Sequence, residues 1–177
     1  MGVCERVCYG LTAIYFATFL QSTYGITLAG VAIPLAVFAA GNILGTIIGG
    51  QLADRLRSRL RIYGIAMAAS SVVALALFGW QPNLQTSVGL GFVYVFVNAV
   101  ARPSMLAALT DVPEHIRGTV LGLNMTSASF GWLFAASLGG WMMAGYGFAG
   151  FGPLAAGFGL LGAVLAIKGQ AAMAMKG

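Results

Sequence analysis

Hydrophobic residues in this chain come in long unbroken runs, without the alternation of a half-buried strand or the one-sided stripe of a water-facing helix. Six runs stand out, at approximately Val7–Tyr24, Leu28–Gly50, Ile62–Trp80, Thr86–Leu109, Thr119–Ala144 and Phe148–Ile167. A hydrocarbon layer about 30 Å thick needs about 20 apolar residues of helix at about 1.5 Å each, and every run is of that order. Barrel strands do not fit, because they alternate apolar and polar residues over about ten positions. The pattern predicts an all-α membrane protein with six transmembrane helices in a bundle.

The polar positions then set its orientation. All thirteen Lys, Arg, Asp and Glu residues fall in four places. These are Glu5 and Arg6 at the start, Asp54 to Arg61 between the second and third runs, Arg102 to Arg117, and the tail residues Lys168 and Lys176. The links Gln21–Thr27, Gln81–Gln85 and Gly145–Gly147 carry none. With six spans the four charged places share one side, and Lys and Arg near helix ends are retained in the cytoplasm. Both termini are therefore expected in the cytoplasm, with the chain multi-pass in the plasma (inner) membrane. Glu5 interrupts any basic leader and no small-x-small site follows the first run, so a cleaved signal peptide is not expected.

Composition sharpens the class. Hydrophobic residues make up 59% and charged residues 7%, against roughly 25% charged in a soluble domain, so the lipid bilayer must be the main solvent. A net charge of +5 could suggest nucleic acid, but the Arg55–Arg61 cluster lies beyond a helix end, where topology and anionic headgroups account for it. No nucleic acid partner is expected. Cys4 and Cys8 could share a helix face, yet a metal site needs more ligands than these two and none lie nearby. Neither a metal nor a cofactor is expected.

Small residues carry a second pattern. Gly41, Gly45 and Gly49 recur every fourth position in the second run, followed by Gly50. In the fifth run Ser127, Gly131, Ala135 and Gly139 keep the same spacing, followed by Gly140. Residues four apart share one face, so each run presents a smooth stripe suited to close helix packing. Correspondence of the second run with the fifth predicts two three-helix units, residues 7–80 and 86–167. Units with an odd number of helices must be inverted with respect to each other, a known plan of secondary transporters. The whole chain, 1–177, reads as one bundle.

Two motifs resemble those of the major facilitator superfamily. Gly50-Gln51-Leu52-Ala53-Asp54-Arg55 is similar to the family's Gly-x-Leu-Ala-Asp-Arg in the loop after the second helix, although Arg57 stands where the full signature has Gly. Pro113-Glu114-His115-Ile116-Arg117-Gly118 resembles the Pro-Glu-x-x-Arg-Gly that often follows the fourth. Together with Asn98–Pro103 in the fourth run they look most like the C-terminal six-helix half of a twelve-helix transporter. The resemblance implies alternating access, with two six-helix bundles rocking around a small-molecule site near the midplane. It implies that the second and fifth helices line the seam between bundles, that the first and fourth line the cavity, and that Gly50, Asp54 and Arg55 belong to a cytoplasmic gate. It also implies a missing half, supplied by a second copy as a homodimer or by a separate chain. Efflux is the direction that family frequency suggests.

Polar residues inside lipid mark candidate contacts. Tyr94, Asn98 and Arg102 are four apart on the fourth run, and Tyr15, Thr18 and Ser22 form a weaker stripe on the first. Asn42 and Asn124 are read as interhelical hydrogen-bonding residues. No Asp, Glu or His is expected deep in a span, with Asp111, Glu114 and His115 placed in a loop. An intramembrane serine enzyme is not expected, because Ser129-Phe130-Gly131 lacks the nucleophile motif and the single His is in that loop. The alternative to transport is a truncated or accessory bundle with no activity of its own.

Overall fold

In hydrocarbon a backbone must satisfy its own hydrogen bonds, and the apolar runs do so as helices. The computed structural model describes residues 1–56 and 58–174, so Arg57 and Lys176 lie outside the described residues. The helices are α1 (Gly2–Tyr24), α2 (Ala32–Arg55), α3 (Arg59–Gly79), α4 (Leu84–Thr110), α5 (Glu114–Tyr146) and α6 (Phe151–Ala174), with 3-10 turns at Ala29–Val31 and Gly147–Gly150. Five helical stretches are long and apolar enough to cross a bilayer. The last of them, Glu114–Ala172, is 59 residues long and contains α5, the second turn and most of α6.

Local chemistry explains several ends. Gly25 closes α1 in the left-handed region at φ 64°, and its N–H donates to the Gln21 carbonyl at 2.9 Å. Asn83 caps α4 by accepting the Thr86 N–H on its Oδ1 at 2.8 Å. Pro113 precedes α5, where a missing N–H costs nothing.

Side-chain contacts give each helix its direction. Gly2 lies beside Ser127, Gly10 beside Ala135 and Gly139 beside Tyr15, so α1 and α5 run parallel. Gly41 faces Phe92, Gly45 faces Phe96 and Gly49 faces Val100, so α2 and α4 are parallel as well. By contrast Tyr24 meets Ser87 while Glu5 meets Arg102, which makes α1 and α4 antiparallel. Gly152 lies against Ala74 and Gly64 against Ala166, so α3 and α6 are antiparallel too. The chain thus reverses direction at Gly147–Gly150, between α5 and α6. The main packing pairs are α2 with α4, α5 with α1, α3 with both α4 and α6, and α6 with α1.

Close packing of the first two pairs depends on the small-residue stripes. Gly41, Gly45 and Gly49 are buried against the α4 backbone; a methyl group at Gly41 would lie 2.9 Å from the Phe92 carbonyl oxygen. Gly131, Ala135 and Gly139 are the buried residues of α5 and lie against Arg6, Gly10 and Tyr15. Ser127, half-buried at the same face, touches Gly2. The stripes therefore face α4 and α1 of this chain and are not themselves the uncovered surfaces of α2 and α5. Those surfaces are the opposite sides, where Ile43, Ile47, Leu133 and Trp141 are exposed. Backbones drawn together by glycine leave the larger side chains pointing outward.

Candidate functional site

α1 begins at Gly2, earlier than the apolar run suggested, and this changes the chemistry of the bundle. Glu5 sits within the helix and is fully buried. Its Oε1 accepts from Nε and Nη2 of Arg102 on α4 at 3.1 and 2.9 Å. Its Oε2 lies 3.4 Å from Nε of Arg6, beyond good hydrogen-bond geometry. Arg102 is eight residues before the end of α4, about 12 Å in at 1.5 Å per residue, whereas Glu5 is in the first turn of α1. Glu5 is buried yet lies in the first turn of α1, and its pairing with Arg102 is the feature that the sequence reading did not show. A charge beside the first long apolar run looks like a topology signal, and a partner 97 residues away leaves no mark on local pattern.

The stripe on α4 points inward. Tyr94 is buried and donates its hydroxyl to the Cys8 carbonyl at 2.8 Å, which ties α4 to α1. Asn98, fully buried, directs Nδ2 at the Met67 sulfur at 3.8 Å, and its Oδ1 has no partner among the described residues. Only Arg102 of the three retains some exposure, 17% of its side chain. Its Cζ stands 5.1 Å from the Tyr9 ring centroid. Tyr9 in turn stacks on Phe38 of α2 at 6.4 Å and meets Trp132 of α5 edge-on at 5.8 Å. An aromatic wall therefore runs from α2 across α1 to α5 beside the guanidinium.

The first-helix candidates diverge. Tyr15 donates its hydroxyl to the Ala136 carbonyl at 2.7 Å and meets Phe151 edge-on, so it ties α1 to α5. Thr18 and Ser22 are exposed, Ser22 bonding only the Phe19 carbonyl of its own helix. Neither Asn42 nor Asn124 makes a side-chain hydrogen bond to another helix among the described residues, contrary to the sequence expectation; Asn42 Oδ1 is buried and unpartnered.

At the charged end, Asp54 and Arg55 are exposed and Gly50 has open space around it. The organising residue there is Arg59, which the sequence reading passed over as a loop charge. Its Nη1 donates to the Ala107 carbonyl at 2.9 Å and to Asp111 at 2.5 Å, and its Nε reaches the Ala53 carbonyl at 3.4 Å. One guanidinium thus joins the ends of α2 and α4 to the start of α3. Asp111 is 64% exposed and Arg59 29%, so the ion pair itself contributes at most about 1 kcal/mol. Asp111→Asn is therefore expected to lower thermal stability in micelles less than Arg59→Gln, which also removes the guanidinium's bonds to the Ala53 and Ala107 carbonyls. Equal shifts would show that the carbonyl contacts add nothing.

Ser129 donates to Met125 of its own helix and is exposed, and His115 is exposed in the first turn of α5. No cluster of metal-ligating side chains occurs among the described residues.

These features define a multi-pass helical membrane bundle in which Tyr94 and Arg102 of α4 are bonded to the antiparallel α1. The Major Facilitator Superfamily model matches residues 1–171, and the chain belongs to that family. It is 24% identical over 129 residues to an uncharacterized MFS-type transporter, YceJ, of Bacillus subtilis, a match covering 72% of this chain and 32% of that protein. It is also 31% identical over 115 residues to a cis,cis-muconate transport protein of Acinetobacter baylyi, covering 61% of this chain and 26% of the relative. The chain thus matches only about a third of these relatives' length or less.

Proposed function

We propose that the chain forms one six-helix half of a secondary transporter that moves a small molecule by alternating access. The observation that supports this best is the exchange of packing partners. If α1, α2 and α3 are renamed α4, α5 and α6 and the reverse, the pair α2 with α4 becomes α5 with α1. The pair α3 with α4 likewise becomes α6 with α1. Corresponding helices run in opposite directions, as two inverted three-helix repeats require. The 59-residue stretch holds two helices, α5 of 33 residues and α6 of 24, each long enough for one crossing, which suits them as separate spans and six in all.

In this reading the bundle lies in the plasma membrane with both termini and the Arg59 end in the cytoplasm. α1 and α4 face a second six-helix half across the opening between α2 and α5. That half is the remainder of a longer protein, a separate chain or a second copy. Arg102 and Thr18 stand where a substrate path would pass, while Tyr94, Asn98 and Tyr15 hold the path's wall from behind. Gly50, Asp54 and Arg55 are free to meet the second half when the cytoplasmic gate shuts. The chain acts as a carrier without a cofactor and not as an enzyme, and efflux is the direction proposed.

Oligomeric mass in nanodiscs, followed by flux into vesicles, tests this. A defined homodimer or a co-purifying six-helix partner, with flux lowered by Arg102→Gln, is the expected result. A stable partnerless monomer without flux would favour the second reading, an accessory bundle with no transport of its own.

A further inference from the structure

Arg6 and Arg102 share a single carboxylate. Glu5 spends Oε1 on two nitrogens of Arg102, and its Oε2 stands 3.4 Å from Arg6 with no hydrogen bond. Two guanidiniums against one carboxylate leave one positive charge uncompensated among the described residues. Neither Nη atom of Arg6, nor Nη1 of Arg102, has a protein acceptor among the described residues. Both side chains are part-exposed, 24% and 17%, so these donors have an outlet. The Arg102 guanidinium lies over the Tyr9 ring, which meets Trp132 edge-on. Arg6 packs on Gly131, the residue before Trp132, on the side between α2 and α5, which are not one of the main packing pairs.

We propose that this is a binding site for an organic anion, a carboxylate carried on a flat apolar body. The carboxylate takes the free N–H donors of Arg6 and Arg102, for which a guanidinium fork is well matched. The apolar body lies against the Tyr9 and Trp132 rings. Glu5 then has two tasks: it keeps Arg102 in place, and it competes with the ligand for the same positive charge. A lipid phosphate offers similar chemistry at this first turn of α1, and added phosphatidylglycerol separates the two sources. The proposal rests on the transport reading for its purpose, since it names the class of solute carried, and on the guanidinium geometry for its chemistry.

Benzoate binding to the full chain in phosphatidylcholine nanodiscs, followed by tryptophan fluorescence, tests it. Saturable binding is expected for benzoate, and none for benzyl alcohol or benzylamine at the same concentrations. Trp132→Phe should remove most of the signal. Arg6→Gln should weaken binding at least about tenfold, the scale of one lost hydrogen bond to a charged group, with Arg6→Lys recovering part of it. Glu5→Gln should tighten binding, because the competing carboxylate is gone. Equal binding of benzyl alcohol, or a dissociation constant indifferent to both Arg6→Gln and Glu5→Gln, would overturn the proposal. Abolition of benzoate binding by added phosphatidylglycerol would assign the site to lipid headgroups and overturn it too. Anion binding with these variant effects, in a chain that moves no solute, would instead sink the transport reading alone.

Discussion

Arg102→Met is expected to destabilise the bundle by about 3–5 kcal/mol, the scale for stranding a buried charge. The cost comes less from the lost attraction than from the partner left behind. Glu5 is fully buried, and without Arg102 its carboxylate has only Arg6 at 3.4 Å. A carboxylate in that position must take up a proton or open the helix interface to water. The double variant Glu5→Met with Arg102→Met should recover much of the loss, since replacing both partners with apolar groups of similar size removes the desolvation cost together with the attraction. Unfolding free energies in mixed micelles measure all three proteins. A loss below about 1 kcal/mol for Arg102→Met would place the pair in water and not inside the protein.

Gly45→Ala should cost about 1–3 kcal/mol, as overpacking of a tight interface does. A Cβ there would collide with the Phe96 carbonyl and lie 2.9 Å from the Ala99 methyl. Both obstacles are rigid, so α2 has to move away from α4 along its length. Gly45→Leu should prevent the two helices from docking at all. Gly50→Ala, one turn beyond, makes the decisive comparison. Nothing lies within 4 Å of a Cβ at that position, and alanine favours helix over glycine by about 1 kcal/mol, so the variant should be neutral or slightly more stable. Unfolding in the same micelles, or protease resistance of the reconstituted chain, reads both. Similar losses at the two glycines would mean that helix propensity, and not close approach, explains the stripe.

The stripe also shows how far sequence pattern reaches. Spacing of four told that Gly41, Gly45 and Gly49 share a face and that this face packs closely. It could not tell which helix fills the groove, because every apolar helix in lipid offers similar surface. The resemblance places α2 and α5 along the seam between bundles, which leaves open whether their stripes face that seam or a helix of the same bundle. In the folded chain α4 and α1 take those grooves, leaving the broader outer faces of α2 and α5 uncovered. The three polar residues of α4 behaved similarly. Their spacing placed Tyr94, Asn98 and Arg102 on one face, but whether that face met water or protein depended on the depth at which α1 crosses it. Tyr94 and Asn98 are enclosed, and Arg102 alone keeps an edge of exposure.

Glu5 is the clearest case of information absent from local pattern. Next to Arg6 and ahead of a long apolar run, it has the appearance of a topology charge. A signal was nonetheless present: α1 and α4 were predicted antiparallel, with an acidic residue near the inner end of one and Arg102 near the inner end of the other. Pairing them would have required knowing how many residues of each helix lie below a common level. Arg59 escaped notice for a related reason. It belongs to a run of arginines that topology explains equally well, and only the convergence of three helix ends separates it from its neighbours.

By itself the sequence determined the solvent, the helical class, the approximate extent of each apolar helix and the grouping of its charges. Those properties follow from what lipid demands of any backbone and any side chain, whatever the neighbours. The tertiary structure alone decided which faces are shared, that Glu5 and Arg102 meet, and that Arg59 ties three ends together. Those contacts join residues 97, 48 and 52 positions apart in the chain. They depend on helix depth and rotation, which are settled by backbone approach at the glycine stripes and leave no periodic trace in the sequence.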